Sequence, residues 1–167
     1  MALSHEEILA HIQAGCGDTA VVIPDSYGVV CVEVPTQQLF RLVNHLFKDQ
    51  HFKFNILTDL CGVHYPEQKG KELGVVYHIQ SMIHRAMIRI KVFAPIENPE
   101  IPSLTGIYAM ANWMERETYD FFGIKFAGHP NLKRILNMDE MIDFPLRREF
   151  PLEDPFRQDK ADYQFGR

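Results

Sequence analysis

Ala86-Met87-Ile88-Arg89-Ile90-Lys91-Val92-Phe93 alternates along its length, with Met87, Arg89 and Lys91 on one side and Ile88, Ile90 and Val92 on the other. Successive side chains of a β-strand point to opposite faces, so this segment has one face for a core and one for water. A sheet covered on one side only is ordinary for antiparallel strands and rare for parallel ones. Two strand-like runs precede it, at residues 52–61 and 73–82. Between them, residues 66–70 are polar and rich in turn formers, which predicts an exposed loop.

Working toward the N-terminus, Pro35-Thr36 opens a helix whose apolar stripe is Leu39, Phe40, Val43, Leu46 and Phe47. Residues 19–24 and 29–34 are β-branched and apolar, and Asp25-Ser26-Tyr27-Gly28 supplies a turn, so they read as a hairpin. Ser4 and Glu7 have capping-box spacing, Ile8, Leu9 and Ile12 follow at helical period, and Gly15 and Gly17 stop the run. This predicts a first helix over 5–14. Working toward the C-terminus, Pro95, Pro99 and Pro102 mark a loop. Ser103 then caps an expected helix over 104–122, with Ile107, Ala111, Met114, Thr118 and Phe121 or Phe122 on one face and Gly123 as terminator.

The expected order is α-β-β-α-β-β-β-α, hence an α+β fold: a mainly antiparallel sheet with helices on one face and an extended C-terminal arm. Residues 1–128 form the expected domain. Residues 129–167 form the arm, where periodicity fades after Gly128-His129-Pro130 and Pro145, Pro151 and Pro155 sit among mixed charges. Its spaced apolar anchors (Ile135, Leu136, Met141, Phe144, Leu146, Phe150, Leu152, Phe156) predict docking onto another surface, that of a second chain included.

The composition excludes several classes. The 167 residues carry 46% hydrophobic and 23% charged side chains, which are globular values. A net charge of −5 argues against nucleic acid and against a polybasic membrane anchor. Cys16, Cys31 and Cys61 are odd in number and contain no Cys-x-x-Cys, so neither a disulfide framework nor an iron–sulfur cluster is expected, and a reducing compartment fits. No apolar run approaches a membrane span, and the acidic first residues read as neither signal nor transit peptide.

The search for chemistry-bearing motifs returns little. There is no Gly-x-Gly-x-x-Gly after a strand and no P-loop around Lys69-Gly70-Lys71. Cys61-x-x-His64 supplies two ligands where structural zinc takes four. His129 reads as a loop imidazole bonded to backbone. The dense cluster is Glu115-Arg116-Glu117-Thr118-Tyr119-Asp120, beside Trp113. Arg116 and Asp120 have the spacing of a helical ion pair. Glu117 and Asp120 share a face and could act as acid and base, with His129 as a third member, in a free-standing enzyme. The alternative, which the absence of a nucleophile or cofactor motif favours, is a charged face that holds Lys133, Arg134, Arg147 and Arg148 of the arm.

The segment from Asn112 through Trp113, Glu115, Arg116, Glu117, Asp120 and Gly123 to Ile124 resembles the signature of the C-type subunit of bacterial NADH:quinone oxidoreductase, respiratory complex I. Phe126 through His129, Pro130 and Arg134 to Leu136 continues the likeness, as does Pro145-Leu146-Arg147-Arg148-Glu149-Phe150-Pro151-Leu152. Upstream, Leu57-Thr58-Asp59-Leu60, His64-Tyr65-Pro66 and Val75-Val76-Tyr77-His78 resemble the family's sheet region. Two positions depart: Phe144 stands where many members carry His, and Lys133 where Arg is common.

The resemblance implies a peripheral, non-catalytic subunit on the cytoplasmic face of the inner membrane, soluble when isolated. It would have no cofactor of its own; NAD, FMN, iron–sulfur clusters and quinone would be held by other complex I subunits. Its expected partner is the quinone-module subunit beside the membrane arm, with membrane contact only through partners. Electron transfer from NADH to quinone coupled to proton translocation would be the activity of the whole. The chain's end at Arg167 is expected of a subunit not fused to its catalytic neighbour. The equivalent subunit of a membrane-bound hydrogenase-type complex is the related alternative. Trp113, Glu115, Arg116, Glu117, Asp120, Gly123, His129, Pro130, Arg134, Pro145, Arg147 and Arg148 are the expected structural and interface residues.

Overall fold

The computed structural model describes residues 3–24 and 27–150. Asp25 and Ser26 of the expected hairpin turn, and the arm residues Pro151, Leu152, Pro155 and Phe156, lie outside them. The helices are α1 (His5–Cys16), α2 (Thr36–Lys48) and α3 (Ala111–Phe122). The strands are β1 (Val21–Ile23), β2 (Val30–Glu33), β3 (Ile56–His64), β4 (Leu73–Ser81), β5 (Ala86–Ala94), β6 (Glu100–Pro102) and β7 (Lys125–Ala127).

Five strands form one sheet in the order β1-β2-β5-β4-β3, antiparallel except where β2 pairs parallel with β5. The alternation in β5 behaves as expected: Ile88, Ile90 and Val92 are fully buried, while Met87, Arg89 and Lys91 face outward and are half-covered. Across the ladder, Ile79, Tyr77 and Val75 of β4 pair with these three core positions and are equally buried. Burying one such aliphatic side chain contributes about 1.5–3 kcal/mol. The described helices all cover this apolar face: α2 over β5, α3 over β3, and α1 against α2 and β2. The fold is therefore α+β, with a mainly antiparallel sheet and its helices on one side.

Local chemistry sets the boundaries. Ser4 and Glu7 form the expected capping box at α1. β3 begins four residues later than periodicity suggests. The Asp49 carboxylate accepts the His51 and Phe52 N–H groups, and Lys53 is left-handed with φ 47°, so the chain is still turning where a strand was expected. α3 is shorter than the expected 104–122. Ser103 does not cap it: its N–H donates to the Ala127 carbonyl and its hydroxyl to Glu115, and Tyr108 donates to the Phe54 carbonyl. Residues 104–110 are turns. The short parallel pair β6–β7, absent from the expected order, joins the segments on either side of α3.

Gly62 sets the distance between α3 and β3. A Cβ there would lie 2.4 Å from Phe122 Cδ2, so only glycine lets the helix settle this close to the strand.

Candidate functional site

Asp120 lies in the last turn of α3 and is fully buried, although it is a charged residue. The chain that leaves β7 returns over it. The N–H groups of Ile135, Leu136 and Asn137 all donate to Asp120 Oδ2, at 3.1, 2.8 and 2.9 Å. Oδ1 accepts from Arg134 Nη1 at 2.7 Å and Asn137 Nδ2 at 3.1 Å. Burial by itself would raise this carboxyl, but the backbone N–H groups and the guanidinium outweigh it and hold it far below the ordinary carboxylate range. With both oxygens committed to fixed donors, Asp120 is a structural anion.

Arg134 does more than pair with Asp120. Its Nη1 also reaches the Asp120 carbonyl at 2.8 Å, and its Nη2 reaches the carbonyls of Met141 at 2.6 Å and Asp143 at 3.0 Å. One planar fork thereby closes residues 134–143 into a loop. The guanidinium lies 5.1 Å from the Phe144 ring centroid, and Arg147 lies 4.6 Å from the same ring. Phe144, where a ligating histidine would have been the more suggestive residue, is a platform shared by two cations. Arg147 donates from Nε to the Phe122 carbonyl at 2.7 Å, and the Arg148 N–H donates to His64 Nδ1 at 3.0 Å.

The other signature residues divide by environment. Glu115 was expected on the charged face, but it is completely buried and accepts from Ser103 Oγ and the Leu104 N–H, each at 2.7 Å. It holds no arm cation. Burial pushes its carboxyl up to about 7, against the opposing pull of those two donors. Arg116 does not pair with Asp120 at i+4. It crosses to the Lys133 and Arg134 carbonyls and lies 5.3 Å from the Trp113 ring centroid. Glu117 is exposed. His129 accepts the Asn131 N–H at Nδ1, so the contact of Nε2 with the Asn112 carbonyl at 3.2 Å has Nε2 as donor. Arg148 points its side chain outward, 4.0 Å from Glu67. Pro130 is exposed and Pro145 half-buried.

Gly123 combines two demands. Its φ is +74° at the end of α3, and a Cβ would lie 2.6 Å from both Arg147 Nη2 and the Phe144 ring. Gly123→Ala is expected to cost about 1–3 kcal/mol through left-handed strain and displacement of the arm. Limited proteolysis should show faster cleavage within 134–150 than in the wild-type chain.

Outside this polar centre the same elements expose apolar side chains. Met138 is 74% and Ile142 88% exposed, with Met110, Trp113, Leu136 and Leu146 exposed alongside. Among the described residues, no three His, Cys, Asp or Glu side chains are placed to hold a metal ion, and no helix is long and apolar enough to cross a membrane.

A small α+β domain whose helix α3 captures the following segment by a buried carboxylate is the class that fold and site define. The family of the respiratory-chain NADH dehydrogenase 30 Kd subunit matches residues 32–156, and the chain belongs to that family. The C-type subunit of the NADH-quinone oxidoreductase of Streptomyces coelicolor is 44% identical over 125 residues, 75% of this chain and 50% of that protein. The Rhizobium etli protein named C 2 among the subunits of its NADH-quinone oxidoreductase is 40% identical over 144 residues, 86% of this chain and 75% of that protein. The chain spans about half the length of several such relatives. A trypsin-resistant fragment of Nqo5 aligns with TM-score 0.65 and 29% identity, covering 76% of this chain and 98% of the fragment. A chain of an archaeal membrane-bound sulfane sulfur reductase shares the fold, with TM-score 0.73 and 21% identity over 93% of this chain and 96% of its own.

Proposed function

We propose that this chain is a non-redox scaffold of the peripheral arm of a bacterial NADH:quinone oxidoreductase, supporting the quinone module while other subunits hold NAD, FMN, iron–sulfur clusters and quinone. The observation that carries the reading is the division of labour at α3. Asp120, Arg134, Arg116 and Arg147 spend their charge on the chain's own backbone, and the loop they hold turns Leu136, Met138 and Ile142 outward. A rigid loop presenting apolar side chains fits a subunit interface, where anchors enter a partner's pockets. The family membership supplies the kind of complex, and Trp113 and Arg148 at the rim extend the proposed contact. Residues 129–167 are the proposed docking arm. Electron transfer to quinone and ion translocation belong, in this reading, to the assembled enzyme at the cytoplasmic face of the membrane.

Ile142→Asp tests it, because a side chain this exposed contributes little to the fold. The isolated variant should keep its unfolding midpoint. Its affinity for the neighbouring subunits should fall by about 30-fold, the loss of one interface anchor. In membranes, NADH:quinone activity should fall in proportion to assembled complex. Normal assembly with reduced activity per complex would sink the scaffold reading, and co-purification with hydrogenase subunits would move the chain to the related complex.

A further inference from the structure

Two of the chain's eight histidines, His11 and His45, meet where α1 packs on α2. His11 of α1 is buried; its ring stacks on Phe52 with centroids 4.0 Å apart and lies 4.5 Å from the ring of His45 on α2. Nε2 of His11 and Nε2 of His45 are both buried, and neither has a hydrogen-bond partner among the described residues. Orphaned buried polar atoms are rare and call for an explanation. Gly15, one turn after His11, meets His45 so closely that a Cβ would lie 2.7 Å from Cδ2. Glycine at this position thereby lets α1 approach α2 closely beside the two rings.

The charged and titratable groups around the pair come from three sides. From the end of α2, Asp49 Oδ2 is the near anion, 3.8 Å from His11 Nε2, while its Oδ1 is held by the His51 and Phe52 N–H groups. From the turn after α2 comes His51, whose ring lies 5.6 Å from that of His84 in the β4–β5 turn. From α1 itself comes Glu7, whose carboxylate is engaged by the Ser4 cap. His11 thus has a second imidazole at ring contact and its near carboxylate beyond hydrogen-bond reach, an arrangement suited to a neutral His11 ring.

We propose that His11, packed against His45, is a proton-operated joint, which holds α1 against α2 while its imidazole is neutral and releases α1 on mild acidification with the sheet domain still folded. The electrostatics agree with the geometry. Burial depresses the proton affinity of His11, His45 and His51 depress it further, and Asp49 opposes them without prevailing. A histidine held below its ordinary value of 6.5 stays neutral in the closed joint and takes up a proton in the open one. The contribution is thus complete above that value and is lost as pH falls through it. His11 lies ahead of the family-matched residues 32–156, whereas His45 and Asp49 lie within them.

Hydrogen–deuterium exchange on the full chain at pH 7.5 and 5.5 tests this, with rates corrected for intrinsic chemistry and α3 as internal reference. An imidazole disfavoured for protonation in the closed state gives a rise in α1 opening of up to about tenfold over that interval. His11→Phe, which keeps a ring on Phe52, and His11→Gln, which keeps polarity, should each abolish the rise; either suffices if the other does not fold. A wild-type α1 indifferent to pH overturns the joint. So does a rise that persists in the variants, or one that α3 shares.

Discussion

Replacing Asp120 by Ala should cost about 3–5 kcal/mol of unfolding free energy, the scale for deleting one partner of a buried, hydrogen-bonded ion pair. The loss is large because five donors lose their acceptor together: three backbone N–H groups, the Asn137 amide and the Arg134 fork, whose side chain is only 8% exposed. Asp120→Asn should recover only part of this, since its amide nitrogen would face donors. Urea unfolding gives the magnitude, and proteolysis within 134–150 gives the location. A chain that lost less than about 1 kcal/mol would show that the arm does not depend on this carboxylate. The pH dependence follows from the sign of the shift. A depressed carboxyl stabilises fully above its unfolded value of 3.8 and loses that contribution only as pH falls through its lower folded value, so the wild-type advantage over Asp120→Ala should be flat from pH 5 to 8.

Glu115 should behave in the opposite sense. Glu115→Leu leaves the Leu104 N–H unpaired in a dry site and leaves the Ser103 hydroxyl with Thr105 as its partner, at an expected cost of about 1–3 kcal/mol. Glu115→Gln keeps an acceptor for the amide and cannot ionise. Because the folded carboxyl titrates at about 7 rather than 4.5, its protonated form is favoured in the native state, and the stability this confers is present below 4.5 and lost as pH rises through 7. The Gln variant should therefore gain on wild type by up to about 3 kcal/mol between pH 4.5 and 8. Taking the difference between the two proteins cancels other titrating groups, including His11. A difference that does not change with pH would mean Glu115 is ionised at no cost, and that its two donors fully replace water.

These two carboxylates stand five residues apart on one helix, and their local sequence treats them alike. Both are fully buried, and their roles separate on donor count. Asp120 receives five donors and stays an anion, whereas Glu115 receives two and is pushed toward neutrality. That distinction lets the helix bind the arm at one end and the residues before it at the other. It also argues against the acid–base reading of Glu117 and Asp120: both Asp120 oxygens are occupied, and Glu117 faces solvent.

Periodicity and capping were sufficient for the α+β class, the one-sided sheet, the α1 capping box and the Gly123 terminator, because each depends on residues within a few positions of one another. The signature around Trp113 to Gly123 was likewise legible as a family likeness, and it marked α3 and its arm as the place to look. The pairing of arm to helix was only half legible. Opposite charges on the two segments suggested contact, but Arg116 found carbonyl oxygens, Arg147 found the Phe122 carbonyl and Glu149 of its own segment, and among the described arm cations Arg134 formed the expected pair with a carboxylate of α3. Ser103 has the character of a helix cap, and it lost that role because Glu115 and Ala127 claim its hydroxyl and N–H from twelve and more residues away. Backbone groups carry no residue identity, so a bond to a carbonyl leaves no trace in composition or spacing. The parallel β6–β7 pair, the platform role of Phe144 and the orphaned imidazoles of His11 and His45 arise in the same way, from which distant atoms share a dry space once the sheet and helices close around it.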